Sequence, residues 1–516
     1  MPSCPTLPFA LAAVAGLTVP LAAQSITFRP RVDFGLAQEN PQQAVVADFD
    51  HDGNLDVAIT LEGYNQGKVQ VLFGDGASDF SRSFEASSYV AWGLGLGDFD
   101  GDGWMDLAAT SYGWAQHGVR VWRNNQAGGL VNNTTVSTLG TPPVAVCSGD
   151  LDGDGLLDLA AISEGGGYAV DWFHGNGNGS FSAFRVVPNT LGLTGRRIYT
   201  GHFNADPYLD LLAIHQSGAM VLLNDNLGHG NLNAAAGIPL TEAMSAAAVA
   251  DLDGDGKDDV VTAGANLRVW HGVGNGSFTL LNSYPTTTGS LDVQLGDLDH
   301  DGRRDALVVG LGGAQLFLGL GGGAFRSPLN LPTGVYPKAG VLGDWNGDGW
   351  PDLAILCQNY AGMDPYLSVY EQVPPAVTAA AVAFGTGCGT PALGFVPAAS
   401  ARPLLGHSGG ATVVNAPTLV AAVALGASDQ FLGAVPLPLA LDGLGMTGCS
   451  LLQSTELVPL PLTPLSQNSL ALSVPVPATL SLLGARVYLQ AFAYAPGQNP
   501  AAMVLSNGIA WTLGNN

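Results

Sequence analysis

Between Ser25 and Pro374, apolar residues fall in short runs separated by acidic or glycine-rich stretches. Ala44-Val45-Val46-Ala47 precedes one acidic stretch and Val57-Ala58-Ile59 follows it. Runs of this length bounded by turn residues predict β-strands. The same order then recurs along the chain: strand, acidic loop, strand, variable loop, strand, glycine-rich turn, strand. The late turns read FGDGASDF (Phe73–Phe80), HGNGNGSF (His174–Phe181), HGVGNGSF (His271–Phe278) and LGLGGGAF (Leu318–Phe325). Asn-Gly and Gly-rich tips of this kind close hairpins.

The acidic loop sets the period. It reads DFDHDGNLD at Asp48–Asp56 and returns at Asp98–Asp106, Asp150–Asp158, Asp251–Asp259, Asp297–Asp305 and Asp344–Asp352. A seventh, damaged copy is His202–Asp210 (HFNADPYLD). First positions lie 50, 52, 52, 49, 46 and 47 residues apart. Four strands in about fifty residues, seven times over, predict an all-β, seven-bladed β-propeller.

Within each intact loop the acidic or Asn positions are 1, 3, 5 and 9, and position 6 is Gly. Oxygens crowded this tightly repel one another unless a cation lies between them. Ca²⁺ accepts such a cluster at flexible geometry, whereas Mg²⁺ is more exacting and keeps its waters. Gly at position 6 permits the positive φ that wraps the loop. An EF-hand requires a bidentate Glu at position 12 and flanking helices. Here position 12 is Ile59, Ala109, Ala161, Thr262, Val308 or Ile355, and the flanks are strands. The same test counts against dockerin-like loops. A plain Asp/Gly turn explains one copy easily but six copies poorly.

The expected ligands are Asp48, Asp50, Asp52 and Asp56; Asp98, Asp100, Asp102 and Asp106; Asp150, Asp152, Asp154 and Asp158. The later loops supply Asp251, Asp253, Asp255 and Asp259; Asp297, Asp299, Asp301 and Asp305; Asp344, Asn346, Asp348 and Asp352. Six Ca²⁺ sites are expected. The fourth repeat should be empty or weak, because His202 replaces the first Asp and the fixed φ of Pro207 forbids the turn.

These repeats resemble FG-GAP/VCBS repeats, the units of the integrin α-subunit propeller and of many secreted bacterial proteins. The resemblance spans roughly residues 25–373. It implies calcium loops on one face that stabilise the blades, with partners on the opposite face. It also implies a backbone carbonyl ligand at position 7, which here is Asn54, Trp104, Leu156, Lys257, Arg303 and Trp350.

The last repeat lacks a fourth strand before Pro374-Pro375. Ile26–Gly35 (ITFRPRVDFG) resembles the fourth strands of other repeats, such as Phe181–Pro188, and is expected to complete the seventh blade.

Net charge is −25, and the seven loops hold 26 of the 42 acidic residues. The acidity therefore belongs mostly to the metal sites, and it gives no support to nucleic-acid or anionic-membrane binding. Residues 1–23 carry no charged side chain, hold an apolar run from Leu7 to Ala23 and end in Leu-Ala-Ala before Gln24, as a signal peptide does. Cys4 precedes that run and is not placed as a lipoprotein cysteine. The expected domains are thus a signal peptide at 1–23, a propeller at 24–374 and a final module at 375–516. The mature protein is expected to be secreted or at the cell surface, without membrane insertion.

Beyond Pro375 the acids are Asp429, Asp442 and Glu456 and the bases Arg402 and Arg486. Short apolar strands alternating with Pro/Gly breaks predict a small β-sandwich. Its GTGCG opening and late SNG…TLG ending resemble C-terminal modules of secreted planctomycete-type bacterial proteins. Cys388 and Cys449 are its only cysteines, and export favours their pairing. Cys147 and Cys357 sit on apolar strands of different blades and read as buried thiols.

A G-x-S-x-G match at Gly406–Gly410 lacks a following helix and any later His, so it is not a nucleophile elbow. No histidines show zinc spacing. The expectation is a non-enzymatic binding or adhesion protein whose partner is an extracellular protein or glycan. A lectin, or a polysaccharide lyase on a calcium-bearing propeller, is the alternative. Three loops between second and third strands carry aromatics: Leu61–Lys68, Ser111–Gly118 and Cys357–Tyr366. They suggest a ligand patch of Tyr64, Trp114, His117, Tyr360 and Tyr366. The competing expectation is that these aromatics cap individual blades. Trp104, Tyr208 and Trp350 on the metal face form a less favoured patch.

Overall fold

The structure is a computed structural model. It describes residues 26–515 apart from 38–39, 64–66, 89–91, 113–116, 139–141, 165–167, 189–193, 216–217, 225–231, 235–243, 287–288, 359–363, 376–378, 399–400, 427, 429, 433–434, 445, 447–448, 454–459, 461 and 479–481. The expected leader, residues 1–23, lies outside the described residues. The chain divides into two compact units, one of them Ile26–Pro374, the other containing Pro375–Asn516. Both are all-β, and among the described residues no helix is long and apolar enough to cross a membrane.

In the first unit the described residues form seven four-stranded antiparallel sheets. The first sheet is built from Pro41–Ala47, Asp56–Leu61, Lys68–Phe73 and Arg82–Ser87, hydrogen-bonded in that order. Each repeat's second strand is its most buried. Asp56–Leu61, Asp106–Ser111, Asp158–Ser163, Asp210–His215, Asp305–Gly310 and Asp352–Cys357 are buried at every position. Apolar runs without alternation are what a strand covered on both faces requires. The first strands touch one another in cyclic order through all seven sheets, and Pro337–Gly343 returns to Pro41–Ala47. They therefore line the centre of a closed ring.

The seventh sheet is completed from the other end of the unit. Val32–Gly35 pairs antiparallel with Tyr366–Tyr370, from Val32 opposite Val369 to Gly35 opposite Tyr366. A bridge between Phe28 and Gln372 extends the seam, and Val373 N–H donates to the Thr27 carbonyl at 2.8 Å. Ser368 Oγ donates to Asp33 at 2.7 Å, and Arg29 forms an ion pair with Glu371.

The second unit holds two further four-stranded sheets. One contains Ala380–Phe384, Met503–Thr512, Arg486–Tyr494 and Ala421–Gly426, the other Gly394–Pro397, Ser408–Val414, Ser469–Pro475 and Thr463–Ser466. Val413, Leu470 and Leu472 of one sheet share an apolar core with Leu489, Ile509 and Trp511 of the other. A disulfide joins Cys388 and Cys449 inside that core. Ser408 opens a strand, not the strand-to-helix turn of a nucleophile elbow.

Candidate metal centres and the opposite face

Each acidic loop joins the first and second strands of a sheet, and its fold follows from three sets of hydrogen bonds. The position-6 Gly N–H donates to the position-1 carboxylate in all six intact loops. The distances are 3.0 Å for Gly53–Asp48, 2.8 Å for Gly103–Asp98 and 2.9 Å for Gly155–Asp150. Gly256–Asp251 and Gly302–Asp297 follow at 2.9 Å, and Gly349–Asp344 at 2.7 Å. This wrap requires positive φ at position 6, from 82° at Gly256 to 91° at Gly53. Position 4 is left-handed as well, at His51, Gly101, Gly153, Gly254, His300 and Gly347. That second requirement was written in the sequence as Gly or His at every intact position 4.

The second set fixes position 7. Its N–H donates to the position-5 carboxylate, for example Asn54 to Asp52 at 2.8 Å, Trp104 to Asp102 at 2.9 Å and Leu156 to Asp154 at 2.8 Å. Lys257, Arg303 and Trp350 do the same toward Asp255, Asp301 and Asp348.

The third set belongs to position 9. Asp56, Asp106, Asp158, Asp210, Asp259, Asp305 and Asp352 are all buried. One carboxylate oxygen accepts the N–H of position 2, and the other accepts an N–H at or just beyond the end of the third strand. These distances run from 2.7 Å (Phe49 to Asp56) to 3.1 Å (Trp345 to Asp352). Burial pushes the carboxyls of Asp56, Asp106, Asp158 and Asp210 up to about 6 and those of Asp305 and Asp352 to about 7, against two backbone donors that pull the other way. Position 9 is therefore first a clamp on the hairpin. Sequence reasoning counted it only as a ligand.

The donor set fits a hard cation. Oxygens from Asp48, Asp50 and Asp56 lie within 4.8 Å of one another, as do those of Asp98, Asp100 and Asp106 and of Asp150, Asp152 and Asp158. Oxygens that share a Ca²⁺ at its usual bond length of about 2.4 Å are separated by no more than about that span. Position 3 is divided between two duties. One oxygen of Asp100 takes the Arg123 guanidinium at 2.9 Å, and its Oδ1 is buried with no hydrogen-bond partner. Asp50 repeats the pattern, with Arg82 on Oδ2 and an unpartnered, buried Oδ1. Asp48 Oδ1 is likewise buried and unpartnered. Leaving such oxygens unmet is costly, and a bound cation removes the cost. Residues missed from sequence also enter here, since His174 and His271 place Nδ1 at 3.0 Å from Asp152 and 3.1 Å from Asp253. Their signal was the His that opens two of the late turns.

The fourth loop loses both halves of the wrap together. His202 offers no carboxylate and Pro207 no N–H. Neither position 4 nor position 6 of this loop is left-handed. Instead the His202 N–H donates to Asp258 of the next loop at 2.7 Å. Asp210 nevertheless keeps its two backbone donors, Phe203 at 2.9 Å and Asn224 at 2.8 Å. Replacing Asp210 with Ala should then strand two buried N–H groups and cost about 3 kcal/mol, equally with calcium or with chelator in denaturant melts. Asp100→Ala should cost stability in calcium far more than in chelator.

The loops also fasten neighbouring repeats. The position-2 carbonyl accepts a hydrogen bond from the following repeat at Phe49 (Asn124, 2.7 Å), Phe99 (Gly179 N–H, 2.9 Å) and Phe203 (Gly276 N–H, 2.7 Å). The Leu151 carbonyl accepts from Asn224 and that of Leu298 from Gln372. Across the seam, the Ser78 N–H of the first repeat donates to Trp345 of the seventh at 3.1 Å. Side chains at position 7 reach the preceding loop as well. Trp104 stacks on His51 at 3.9 Å between ring centres, and Trp350 packs edge-on against His300 at 4.5 Å. With Trp350 buried, the metal face does not offer it to a ligand.

Of the aromatic patch expected on the opposite face, Tyr64, Trp114 and Tyr360 lie outside the described residues. His117 packs against Tyr112, whose ring stacks on Trp92. Tyr366 opens the third strand of the seventh sheet, and its hydroxyl accepts the Val335 N–H at 3.1 Å while Arg31 lies over its ring. It braces the seam rather than standing free.

A closed ring of four-stranded sheets, with acidic hairpin loops whose oxygens are placed to hold a metal ion, defines a repeat β-propeller. Residues 48–109, 98–161, 202–262 and 297–355 match the FG-GAP-like repeat family. The chain is an FG-GAP repeat β-propeller protein. No curated protein matches it. Among solved structures it is similar to an Agrocybe aegerita lectin that recognises non-reducing terminal N-acetylglucosamine, at 17% identity over 61% of this chain and 92% of that one, TM-score 0.41. It is also similar to BBS1N in complex with ARL6DN (12%, 68% and 98%, TM-score 0.46) and to the Pseudomonas aeruginosa periplasmic gluconolactonase PpgL (16%, 56% and 85%, TM-score 0.41).

Proposed function

We propose that this is a secreted binding or adhesion protein without catalytic activity, built on a seven-bladed propeller that calcium stabilises and followed by a β-sandwich module. The observation that carries the reading is the buried, unpartnered carboxylate oxygen of Asp48, Asp50 and Asp100, each set among further oxygen donors at a loop that hydrogen-bonds the next repeat. Bound Ca²⁺ would supply positive charge to these oxygens and hold the loop closed. The loops are thereby committed to the frame, and the partner, an extracellular protein or glycan, is left to the other face. Export is supported by the charge-free apolar start of the chain and by the Cys388–Cys449 disulfide, which persists in oxidising compartments. A lectin is the second reading, because a polar cavity whose lining includes Trp92 opens at the centre of that other face. A glycan array and capture of extracellular-matrix proteins, each run in calcium and in chelator, test the reading. Calcium-dependent retention of a glycan or protein is expected, and turnover of a polysaccharide by the calcium-loaded protein would overturn it.

A further inference from the structure

The first strands run from the channel mouth to the metal loops, a span of about 20 Å for seven residues. At the mouth, a cavity of about 520 Å³ is lined by every repeat of the ring. Its charge is the reverse of the protein's. Arg196 and Arg197 open the first strand of the fourth sheet, and Lys338 opens that of the seventh. Glu62 and Glu164 follow the second strands of the first and third sheets. Three of the chain's 17 Lys and Arg residues thus converge on one cavity in a molecule of net charge −25. Among the described residues none of the three forms an ion pair within salt-bridge distance, although Glu62 carries a hydrogen bond from Gln42 at 2.8 Å. Arg197 also lines the two smaller cavities that continue down the channel, which places it near the axis. Trp92 forms part of the wall and is backed by the stacked ring of Tyr112.

We propose that this mouth binds a carboxylate-bearing saccharide, with the sugar carboxylate on Arg196, Arg197 and Lys338, its hydroxyls on Glu62 and Glu164, and a ring face on Trp92. The inference rests on the binding-protein reading and names the ligand class of its free face. Planar guanidinium groups suit a carboxylate, with which they form paired hydrogen bonds. Two carboxylates in the same wall repel a polyanion such as a phosphate ester, yet they accept hydrogen bonds from hydroxyls. The summed charge of the five groups, three positive and two negative, favours an acidic saccharide over a neutral one. An indole face is a sugar platform that costs little conformational entropy. The cavity volume falls within the usual range for small-ligand sites.

The test is calorimetric titration of the calcium-loaded full chain with digalacturonate, with the corresponding neutral digalactose and with inorganic phosphate. Digalacturonate should bind, with an affinity that weakens as salt is raised, and the other two should bind at least about tenfold more weakly. Arg197→Ala, and separately the exposed Arg196→Ala, should each weaken digalacturonate by about tenfold, and Trp92→Ala should weaken it too, all with unchanged calcium stoichiometry. Arg197→Lys covers the case in which the Ala variant fails to fold and should retain part of the affinity. Equal binding of the neutral sugar, preference for phosphate, or affinity indifferent to Arg196 and Arg197 would overturn the proposal. So would the absence of digalacturonate binding in a fully calcium-loaded protein. A positive glycan or matrix-protein array alongside that absence would leave the binding-protein reading standing and remove only the acidic saccharide.

Discussion

Stripping calcium is expected to lower the melting temperature of the repeat unit by roughly 20 °C. A site occupied at about a hundredfold above its Kd stabilises by about 2.7 kcal/mol, so six such sites supply about 16 kcal/mol. Unfolding entropy of about 2 cal/mol/K per residue over Ile26–Pro374 converts this to roughly 20 °C. The loss should be cooperative, because the position-2 carbonyls tie each loop to the next repeat. The pH response should change as well. In metal-stripped protein the position-9 carboxyls, raised by burial to about 6 at Asp56 and about 7 at Asp352, favour the folded state fully below the unfolded carboxylate range near 4. That contribution is lost as pH rises through 6 and 7. Melts of stripped protein from pH 4 to 8 should therefore fall on the alkaline side, and calcium should remove the fall.

Deleting residues 26–35 is the second large effect expected. The segment supplies the outer strand of the seventh sheet, buries parts of Phe28 and Phe34 against the ring, and leads into Leu36 in the seam core. Its apolar side chains at about 1–2 kcal/mol each and its ladder at about 1 kcal/mol per bond add to a loss of about 10 kcal/mol. The expected fall in melting temperature is on the order of 14 °C. The deletion should lower the melting of the whole ring in one transition, since the seam carries the Ser78-to-Trp345 bond and closes the circle of first strands. An unchanged melt would mean that the ring does not depend on the seam.

The repeat was legible because its information is local. Nine residues carry the turn, the acidic cluster and the strand ends, and their recurrence counts the sheets. The damage at His202 and Pro207 was legible for the same reason, and the structure adds that one hydrogen bond lost both partners there. The clamp at position 9 was not legible, because an Asp in an acidic loop reads as a ligand and its two backbone donors lie outside what that reading counts, although its oxygens also belong to the acidic clusters. One of those donors lies at the far end of the third strand, which local spacing does not reveal. The channel mouth was not legible at all. Glu62, Trp92, Arg196, Arg197 and Lys338 sit on four repeats and look like ordinary strand-end residues until the ring closes. Aromatic loops drew attention instead, and Tyr366 from that set is spent on bracing the seam.

The most direct measurement is the number of calcium ions bound per chain, taken by equilibrium titration of metal-stripped protein with melting temperature followed at each step. Six ions are expected, with stability rising until the last is bound. Asp98→Asn combined with Asp100→Asn should remove one ion, whereas Asp210→Asn should remove none. A chain that binds no calcium, or that binds it without gaining stability, would contradict the calcium-stabilised ring.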